Sequence, residues 1–534
     1  MKWLLLSIIV LAGIIRGWGI DKVPPELFGD ELDVGYQAYS LLKSGRDLYG
    51  QVLPTYIHSL AEWRAPLLMY ATVPSISAFG LNEWGVRLPE VLFGVAAIPL
   101  LFLLVLQTTG SKQAALLSSL LLVITPWHIY YSRAAFEVVL LLDLVMLGTS
   151  LALKDRWLTA ALFFVLAMYC YSTAVLFVPL WLVLLGLISR KRPTWPAVAV
   201  WLLLLLPLAY HIVAGPARDR FGSLSITRDE QAIKEVLIKR QQYPSLLGKV
   251  FNNRYETIAN LLVKNYVASF STEFLFIRGD PVYRHSIQTT GQLLLGMFPV
   301  VIIGLISLAK RRQWLWWGWL VLAPLPASLT MGGGHHATRL ILMLPPLMVA
   351  CGLGLSQIWA WRRWAGAAMF VMILGFFVQN AYVYAVVYPV ESWRWWAVGY
   401  KDAIQALQPL ENQYSQVFIN NTFEPALIRY LFWTHYDPAK FRQDFTLDQP
   451  QKEIVPNYDG FALGAKVFFG QFSDGVQKTS FPNRLLPRAV YLISQRDDVG
   501  GDWDWRVNPP AGVKVLHTST NPAHQPVFYL ITRE

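Results

Sequence analysis

Three carboxylates lie within four residues in the stretch Phe28-Gly29-Asp30-Glu31-Leu32-Asp33, which follows the first hydrophobic segment of the chain, residues 3–20. One interpretation is local. Asp30 caps a helix that ends at Lys43-Ser44-Gly45, and the other two acids occupy its first turn. The second interpretation is functional, since clustered acids beside an apolar segment are candidates for a site. Both interpretations are open until the position of this stretch relative to the rest of the chain is known.

The composition is that of a helical membrane protein with several spans. Of the 534 residues, 54% are hydrophobic and 15% charged, and the mean hydropathy is +0.39. Soluble proteins carry about a quarter charged residues. Cys170 and Cys351 lie in apolar runs, so no disulfide framework is indicated. No small-residue cleavage site precedes Asp21-Lys22-Val23-Pro24-Pro25, so we expect the first segment to be retained as a span.

Apolar runs of about 20 residues predict eleven transmembrane helices. With the N-terminus inside, all five short inside connections are basic, as the positive-inside rule expects. The net charge of +11 therefore reflects membrane topology rather than nucleic-acid binding. The predicted spans are residues 3–20, 85–107, 113–126, 134–152, 157–171, 173–189, 195–213, 291–309, 313–330, 337–358 and 364–386. The basic residues of the connections are Lys112, Lys154, Arg156, Arg190, Lys191, Arg192, Lys310, Arg311, Arg312, Arg362 and Arg363.

The same topology divides the remainder of the chain. Residues 65–80 are apolar, but a span there would move every later basic loop outside, so an interfacial or re-entrant segment is expected. We expect residues 1–387 to form a transmembrane catalytic unit and residues 388–534 an extracytoplasmic α/β domain that begins with an interfacial helix over 393–407. The predicted outer loops are 21–84, 126–133, 214–290 and 331–336. The predicted strands are 417–419, 465–469, 489–493, 513–516 and 527–531.

Three arginines on the predicted outer face are candidate ligands for a phosphate group: Arg64, Arg133 and Arg339. A guanidinium group offers a permanently charged, bidentate fork that suits phosphate. The alternative for Arg64 is an interfacial arginine that extends its charge to the membrane surface.

Acidic and imidazole side chains accompany these arginines. Glu137 begins the fourth predicted span, where a carboxylate is unfavourable unless it faces a polar cavity or pairs with Arg133, four residues earlier. We expect Glu137 to line the site and regard it as a candidate metal ligand, with His128 close by. His335 and His336 follow three glycines, and adjacent histidines point in different directions on a helix, so only one of the two is expected to reach a metal or a phosphate. The alternative is a polar helix start.

Several motifs of the first 360 residues resemble the GT-C glycosyltransferases, in particular the protein O-mannosyltransferases (family 39) and the lipid A aminoarabinose transferases. The Asp30-Glu31 loop is similar to the first outer loop of that superfamily. The segment Trp63-Arg64-Ala65-Pro66-Leu67 stands where many relatives have Lys-Pro-Pro. The further matching stretches are Asn82-Glu83-Trp84-Gly85-Val86-Arg87-Leu88-Pro89, Tyr131-Ser132-Arg133 with Glu137, and His335 with Arg339 and Pro345-Pro346.

The resemblance implies a GT-C fold. We expect the membrane to be a bacterial or archaeal plasma membrane, and the basic connections predict a cytoplasmic N-terminus. The resemblance also implies transfer of mannose or another hexose or pentose, with inversion, from a polyprenyl-phosphate donor to a hydroxyl acceptor on the outer face. The acceptor is a protein, a lipid or a glycan. Asp30 would be the general base and Glu31 its support or an acceptor ligand, while Arg64, with Arg339 or Arg133, would bind the donor phosphate. A divalent cation between Glu137 and the phosphate is compatible with this set, because relatives differ in metal use.

The alternative function is a transporter or flippase of lipid-linked glycans, which also needs many spans and buried charge. Transporters usually contain repeated halves with interrupted helices at corresponding positions. The sequence shows no such duplication, and its ionisable residues cluster towards one face. A scaffold for envelope assembly would leave the acidic stretch without a role.

Overall fold

Apolar helices occupy all eleven segments that the sequence predicts to span a membrane. The computed structural model describes the chain except for residues 1, 61–62, 190–191, 216–221, 223–224, 244, 424, 446–449, 474–483 and 502, so the predicted basic pair Arg190 and Lys191 lies outside the described residues. The helices up to the fourth predicted outer loop are α1 Lys2–Gly17, α2 Gly29–Ser44, α3 Leu67–Phe79, α4 Glu83–Thr109, α5 Lys112–Val123, α6 Pro126–Tyr131, α7 Val138–Leu153, α8 Trp157–Met168, α9 Ser172–Ser189, α10 Trp195–Val213, α11 Glu230–Gln242, α12 Leu246–Phe251, α13 Arg254–Ala268, α14 Phe298–Lys310, α15 Trp314–Leu322 and α16 Leu325–Ser328. The later helices are α17 Ala337–Leu340, α18 Leu344–Trp361, α19 Arg363–Tyr382, α20 Tyr388–Glu391, α21 Tyr400–Leu407, α22 Ala426–Trp433 and α23 Pro438–Asp444.

Among the described residues, five helical stretches are long and apolar enough to cross a membrane by length and composition. They are Glu83–Thr109, Ser172–Ser189, Trp195–Val213, Ala337–Trp361 and Arg363–Glu391. The other apolar helices are shorter than a bilayer requires, so the helix lengths alone do not fix the number of spans.

Glycines allow three helices of the membrane part to pack closely. A Cβ atom at Gly304 of α14 would lie 1.7 Å from the carbonyl oxygen of Ala350 in α18. In the same way, a Cβ atom at Gly352 of α18 would lie 2.1 Å from the Oγ of Ser118 in α5. Small residues at such positions let helix backbones approach each other, which favours association inside a membrane.

Helix α2 carries the acidic stretch, and it ends at Gly45 as the sequence predicts. Gly45 has φ 64°, a left-handed conformation that glycine adopts without strain. The predicted capping role of Asp30 is wrong, because the cap residue is Phe28, which makes no side-chain cap hydrogen bond. Asp30 and Glu31 instead occupy the first turn, where negative charge favours the helix dipole.

Helix α3 forms the segment for which the sequence predicts an interfacial or re-entrant structure. Its 13 residues extend about 20 Å, less than the hydrocarbon thickness of a bilayer of about 30 Å. It contains Pro74 and packs against α2 and α4. The length therefore agrees with the prediction that α3 does not span the membrane.

The described residues of the C-terminal region form a mixed sheet of seven strands. A separate hairpin in the first loop pairs β1 Ile57–His58 with β2 Trp63–Arg64. The strands of the sheet are β3 Gln416–Asn420, β4 Gln451–Val455, β5 Tyr458–Leu463, β6 Val467–Phe472, β7 Ala489–Ser494, β8 Val513–Thr520 and β9 Pro526–Arg533. Their order in the sheet is β4-β5-β6-β3-β7-β9-β8, and β3 is parallel to both β6 and β7. The five predicted strands overlap observed ones, whereas β4 and β5 have no counterpart in the prediction.

The predicted helix over residues 393–407 is shorter than expected. Only Tyr400–Leu407 is helical, as α21, and it packs against β8 and β9 of the sheet. Trp396 is buried, and its indole N–H donates to the hydroxyl of Tyr388 at 2.9 Å. Trp396 therefore belongs to the protein interior rather than to an aromatic belt at the membrane surface.

Glu26 joins the loop after α1 to the C-terminal region. Its carboxylate accepts hydrogen bonds from the main-chain N–H groups of Gly399 and Lys401, each at 2.9 Å. Burial raises the pKa of Glu26 to about 7, although the charge of Arg429 and the two N–H groups act in the opposite direction.

We expect this junction to be more stable in mild acid. The folded-state pKa of about 7 exceeds the ordinary value of 4.5, so the stabilisation by protonation is fully present below pH 4.5 and is lost as the pH rises through 7. Thermal unfolding of the purified protein should show a fall in Tm between pH 5.5 and 8 that is smaller in Glu26→Gln. The exposed Glu230→Gln variant is the control, and equal pH slopes in wild type and Glu26→Gln would contradict the assignment.

Candidate active site

Arg64 and Asp30 form the centre of the candidate site. The β1–β2 hairpin, in which Arg64 pairs with Ile57, brings the guanidinium group to the first turn of α2. The Nη2 atom of Arg64 lies 2.6 Å from Oδ1 of Asp30. The Arg64 side chain is 7% exposed and that of Asp30 is 48% exposed, so the arginine is buried beneath an acid that is open to solvent.

Two further carboxylates surround Arg64. Oδ2 of Asp33 lies 3.9 Å from its Nε, and Oε1 of Glu137 lies 4.0 Å from its Nη1. Both acids are largely buried, with side chains 8% and 17% exposed. The structure therefore brings together Asp30, Arg64 and Glu137 of the predicted site. Among these acids, Asp30 is the one that an incoming molecule can readily reach.

Glu31 lies one residue further on α2 and faces the protein interior. Its Oε1 and Oε2 atoms accept from Nε and Nη2 of Arg87 at 2.8 and 2.9 Å, and Oε1 also accepts from the main-chain N–H of Ala135. The Glu31 side chain is fully buried. A direct contact with an acceptor, one of the two roles that the sequence suggests for Glu31, does not fit this position. Support of Asp30 through the start of α2 does fit.

Arg133 is a structural residue, which corrects its assignment as a phosphate ligand. Its two Nη atoms donate to the main-chain carbonyl groups at the end of α1 and in the following loop, and its side chain is buried. The four acceptors are Ile15 at 2.9 Å, Arg16 at 3.0 Å, Gly19 at 3.3 Å and Val23 at 2.8 Å. Both Nη atoms, which would donate to a phosphate, therefore already donate to carbonyl groups of the main chain.

His128 is also removed from the candidate site. It is fully buried, with Nδ1 at 2.7 Å from Nη2 of Arg16. Arg16 in turn donates to the carbonyl groups of Leu122 and Val123, at the end of α5. This buried pair connects α1, α5 and α6, so the histidine holds helices together instead of facing a substrate.

Three side chains outside the acidic stretch form a candidate metal centre. They are Asp280, His285 and His336. Each of them offers one ligand atom, and these three atoms lie within 4.8 Å of one another. The sequence prediction included His336 and, separately, Glu137, but the described structure places Glu137 beside Arg64 and supplies Asp280 and His285 as partners. Two imidazoles and one carboxylate are a donor set that suits Zn²⁺ and similar ions.

The surroundings of this group fit a bound cation. Asp280 is oriented by main-chain N–H groups of Val282 and Ala337, each at 2.8 Å, as is common behind metal ligands. Burial raises the pKa of Asp280 to about 6. Burial, followed by nearby arginine charge, lowers the pKa of His285 to about 3 and that of His336 to about 2, so both imidazoles are neutral at neutral pH. Nδ1 of His285 lies 2.9 Å from the hydroxyl oxygen of Tyr131. The buried Nδ1 of His336 has no hydrogen-bond partner among the described residues.

Arg339 and His335 lie beside this centre. The Nη1 atom of Arg339 donates to Oγ1 of Thr330 at 2.7 Å and to the carbonyl group of Met331, and its charge acts on Asp280. His335 stacks on Phe274, and its Nε2 lies 3.2 Å from Oγ of Ser271. The adjacent histidines therefore point in different directions, as expected.

Arg284 is a functional candidate that the sequence analysis missed. Its guanidinium group lies 5.2 Å from the ring centre of Phe28, two residues before Asp30, and 5.9 Å from that of Trp395. In the part of the chain that the structure describes, its buried Nε atom has no hydrogen-bond partner. Arg284 stands among turn residues in a long loop, so no local pattern distinguishes it from the other arginines of the chain.

Phe28 and Phe136 connect the two halves of the site. Their ring centres are 5.2 Å apart, and Phe136 is also 5.4 Å from the ring of His285. Since Phe136 precedes Glu137, one short segment contacts both the acidic group around Arg64 and the candidate metal centre. The two groups are therefore linked through one short segment of the chain.

We expect the candidate centre to bind Zn²⁺ through His336 and not through its neighbour His335. Metal analysis and calorimetric titration with ZnCl₂ should show stoichiometric binding to the metal-stripped wild type. His336→Ala should weaken binding at least about tenfold, since it removes one of three ligands. His335→Ala is the matched control and should leave binding unchanged. Equal affinity in wild type and His336→Ala would exclude the centre.

Comparisons with known proteins agree with the predicted superfamily. Residues 64–212 match the model of the dolichyl-phosphate-mannose-protein mannosyltransferase family. A stretch of 101 residues is 36% identical to the putative mannosyltransferase YkcB of Bacillus subtilis (strain 168), and this match covers 17% of the chain and 14% of that relative.

The whole fold is similar to that of ArnT from Cupriavidus metallidurans. Two crystal structures, in the apo state and bound to undecaprenyl phosphate, match with a TM-score of 0.50 each and with 12% and 14% identity. The similarity covers 99% of this chain and 97% of ArnT in both cases. The chain therefore has the fold of the GT-C glycosyltransferases, and its residues 64–212 match the mannosyltransferase family model of that superfamily.

Proposed function

We propose that the chain is an integral membrane glycosyltransferase that moves a sugar from a polyprenyl-phosphate donor to a hydroxyl group, with inversion at the sugar C1. The observation that carries the proposal is the half-exposed Asp30, held 2.6 Å from the buried Arg64 in a GT-C fold. The family model and the undecaprenyl phosphate bound to ArnT support a lipid-phosphate donor. The sugar is mannose or another hexose or pentose.

Asp30 is the general base in this proposal. Its carboxylate takes the proton of the acceptor hydroxyl as the hydroxyl oxygen attacks C1 of the sugar. The bond between C1 and the phosphate oxygen breaks, and its electron pair remains on the lipid phosphate. The bond to Arg64 fixes the orientation of Asp30, so the proton acceptor is in position before the substrates bind.

Arg284 stabilises the leaving phosphate. Arg64, which the sequence assigns to that role, holds Asp30 instead, because three carboxylates surround its guanidinium group. Arg284 takes the place of Arg133 in the predicted set, because the Nη atoms of Arg133 are bonded to the main chain. Arg339 contributes positive charge beside Asp280 and His336. A cation held by Asp280, His285 and His336 would add charge stabilisation to the phosphate oxygens.

Glu31 acts as a positioning residue. Through Arg87 and the N–H of Ala135 it fixes the first turn of α2 relative to the segment that contains Phe136 and Glu137. The proposal thus retains Glu31 from the predicted catalytic pair, in the supporting role.

The proposed topology places the site on the outer face. The N-terminus is cytoplasmic and the membrane is a bacterial or archaeal plasma membrane, since the basic connections fit the inside of such a membrane. Residues 1–387 form the catalytic unit and residues 388–534 the extracytoplasmic domain. The alternative, a transporter or flippase of lipid-linked glycans, is not favoured, because the matching family model and fold are those of sugar transferases.

Asp30→Asn should lower the rate of transfer by a factor of about 10²–10⁴, the usual contribution of a positioned general base. The amide keeps the size of the side chain but does not take up a proton. The measurement is transfer of labelled mannose from a polyprenyl-phosphate donor by the purified protein. Asp21→Asn, in the same loop, is the control and should retain wild-type turnover. Unchanged turnover in Asp30→Asn would refute the base assignment.

Arg284→Gln should raise the KM for the donor about tenfold, because a charged contact to the leaving phosphate is lost. Arg284→Lys keeps the charge and should restore part of this loss. Arg278→Gln is the matched control, since Arg278 is exposed in the same loop and pairs with Glu273. The assignment fails if Arg278→Gln and Arg284→Gln change the donor KM equally.

A further inference from the structure

A second concave site lies in the C-terminal sheet, away from the acidic stretch. It is a cleft of about 470 Å³ whose lining includes Trp393, Phe423, Gln495, Arg496 and Trp503. We name it the sheet-end cleft, because Phe423 and Gln495 follow the carboxyl ends of β3 and β7. None of these residues takes part in the proposed transfer reaction.

The topology of the sheet explains why a cleft forms here. Strand β6 lies on one side of β3 and strand β7 lies on the other side, and both are parallel to β3. Connections that diverge in this way leave a crevice at the carboxyl ends of the parallel strands, where α/β sheets commonly bind ligands. Asp498 joins the two strand ends, since its Oδ2 accepts from Nδ2 of Asn420 and from the N–H of Ser494, each at 2.7 Å.

The walls of the cleft combine aromatic faces with guanidinium groups. Trp503 is 44% exposed, which is high for a large aromatic side chain. The guanidinium of Arg394 lies 5.2 Å from the ring centre of Trp393, and that of Arg496 lies 5.0 Å from that of Phe423. Each cation–aromatic pair presents an apolar surface and adjacent hydrogen-bond donors on the same wall.

The cleft is held in shape before any ligand binds. Nε2 of Gln495 donates to the carbonyl groups of Gly501 and Trp503, each at 3.1 Å, which fixes the loop that carries Trp503. Asp497 binds Nε and Nη2 of Arg496 at 2.7 and 3.1 Å, so this guanidinium has a defined position. Such preorganisation reduces the loss of conformational entropy on ligand binding.

We propose that the sheet-end cleft binds carbohydrate. Sugar rings offer flat C–H faces, which pack on aromatic rings, and a rim of hydroxyl oxygens, which accept hydrogen bonds from guanidinium groups. An apolar ligand would leave the guanidinium donors of Arg394 unused. A metal ion lacks a donor set here, since the only cluster of potential metal ligands found among the described residues is the one at Asp280.

A physical connection joins the cleft to the candidate active site. Trp393 and Arg394 line the cleft, and the next residue, Trp395, lies 5.9 Å from the guanidinium of Arg284. One short segment therefore contacts both sites. We infer that the bound carbohydrate is the acceptor glycan, a conclusion that rests on the proposed function, whereas carbohydrate binding itself does not.

Calorimetric titration of the full-length protein in detergent with mannotriose and with trigalacturonic acid tests the proposal. At least one of the two sugars should bind, and Trp503→Ala should weaken that binding about tenfold, as expected for loss of one aromatic platform. Arg394→Gln, in the same cleft, should also weaken it. Trp314→Ala is the matched control, because Trp314 is an exposed tryptophan at the start of α15.

The two proposals fail separately in this experiment. Asp30→Asn should bind the sugar as tightly as wild type, although it transfers poorly. Trp503→Ala should keep donor binding but raise the KM for a glycan acceptor. If wild type binds neither sugar, or if Trp503→Ala and Trp314→Ala behave alike, the cleft is not a carbohydrate site. If binding is lost in Trp503→Ala while wild type transfers no sugar, the cleft stands and the proposed function falls.

Discussion

The buried pair of Arg87 and Glu31 is the interaction on which the candidate site depends. Both side chains are fully buried, and Arg87 also donates to the carbonyl groups of Ile20, Pro24 and Glu26. One guanidinium thereby fixes α4, the first turn of α2 and the loop between α1 and α2. Removal of one partner from such a buried pair leaves an uncompensated charge and typically destabilises a protein by about 3–5 kcal/mol. The main chain at Asp30 has a defined position because the hydrogen bonds to the adjacent Glu31 hold the first turn of α2 in place.

The loop between α1 and α2 also forms hydrogen bonds with the C-terminal region. The main-chain carbonyl of Glu26 accepts from Arg87, while its carboxylate accepts from two N–H groups at the start of α21. On the other side of the junction, Nη1 of Arg429 donates to the carbonyl group of Leu27. The membrane part and the sheet are thus joined through residues that immediately precede Asp30. These hydrogen bonds therefore couple the C-terminal region to the loop that leads into α2, the helix that carries Asp30.

Local patterns predicted the helices, and contacts between distant residues decided the site. Hydropathy depends on neighbouring residues, so the eleven apolar segments and the end of α2 at Gly45 were predictable. The sequence placed Asp30 and Arg64 in one candidate site, and the structure brings their side chains into contact, but Arg133 and His128 could not be distinguished from phosphate or metal ligands. A charged group in an apolar segment can serve a substrate or hold helices together, and its partners decide which. For Arg133 these partners are carbonyl groups more than 100 positions earlier in the chain, and the pairing of His285 with His336 likewise spans separate loops.

The charges around Arg64 explain why the proposed reaction needs both halves of the site. Asp30, Asp33 and Glu137 surround this one guanidinium, so its immediate environment carries an excess of negative charge and would repel an anionic lipid phosphate. The compensating positive charge lies on the other side of Phe28 and Phe136, where Arg284 and Arg339 accompany the candidate metal centre. In the proposed reaction the acceptor hydroxyl accordingly meets the acidic half and the leaving phosphate meets the basic half. The sugar C1 then lies between a proton acceptor and a site that stabilises the departing charge, as inversion requires.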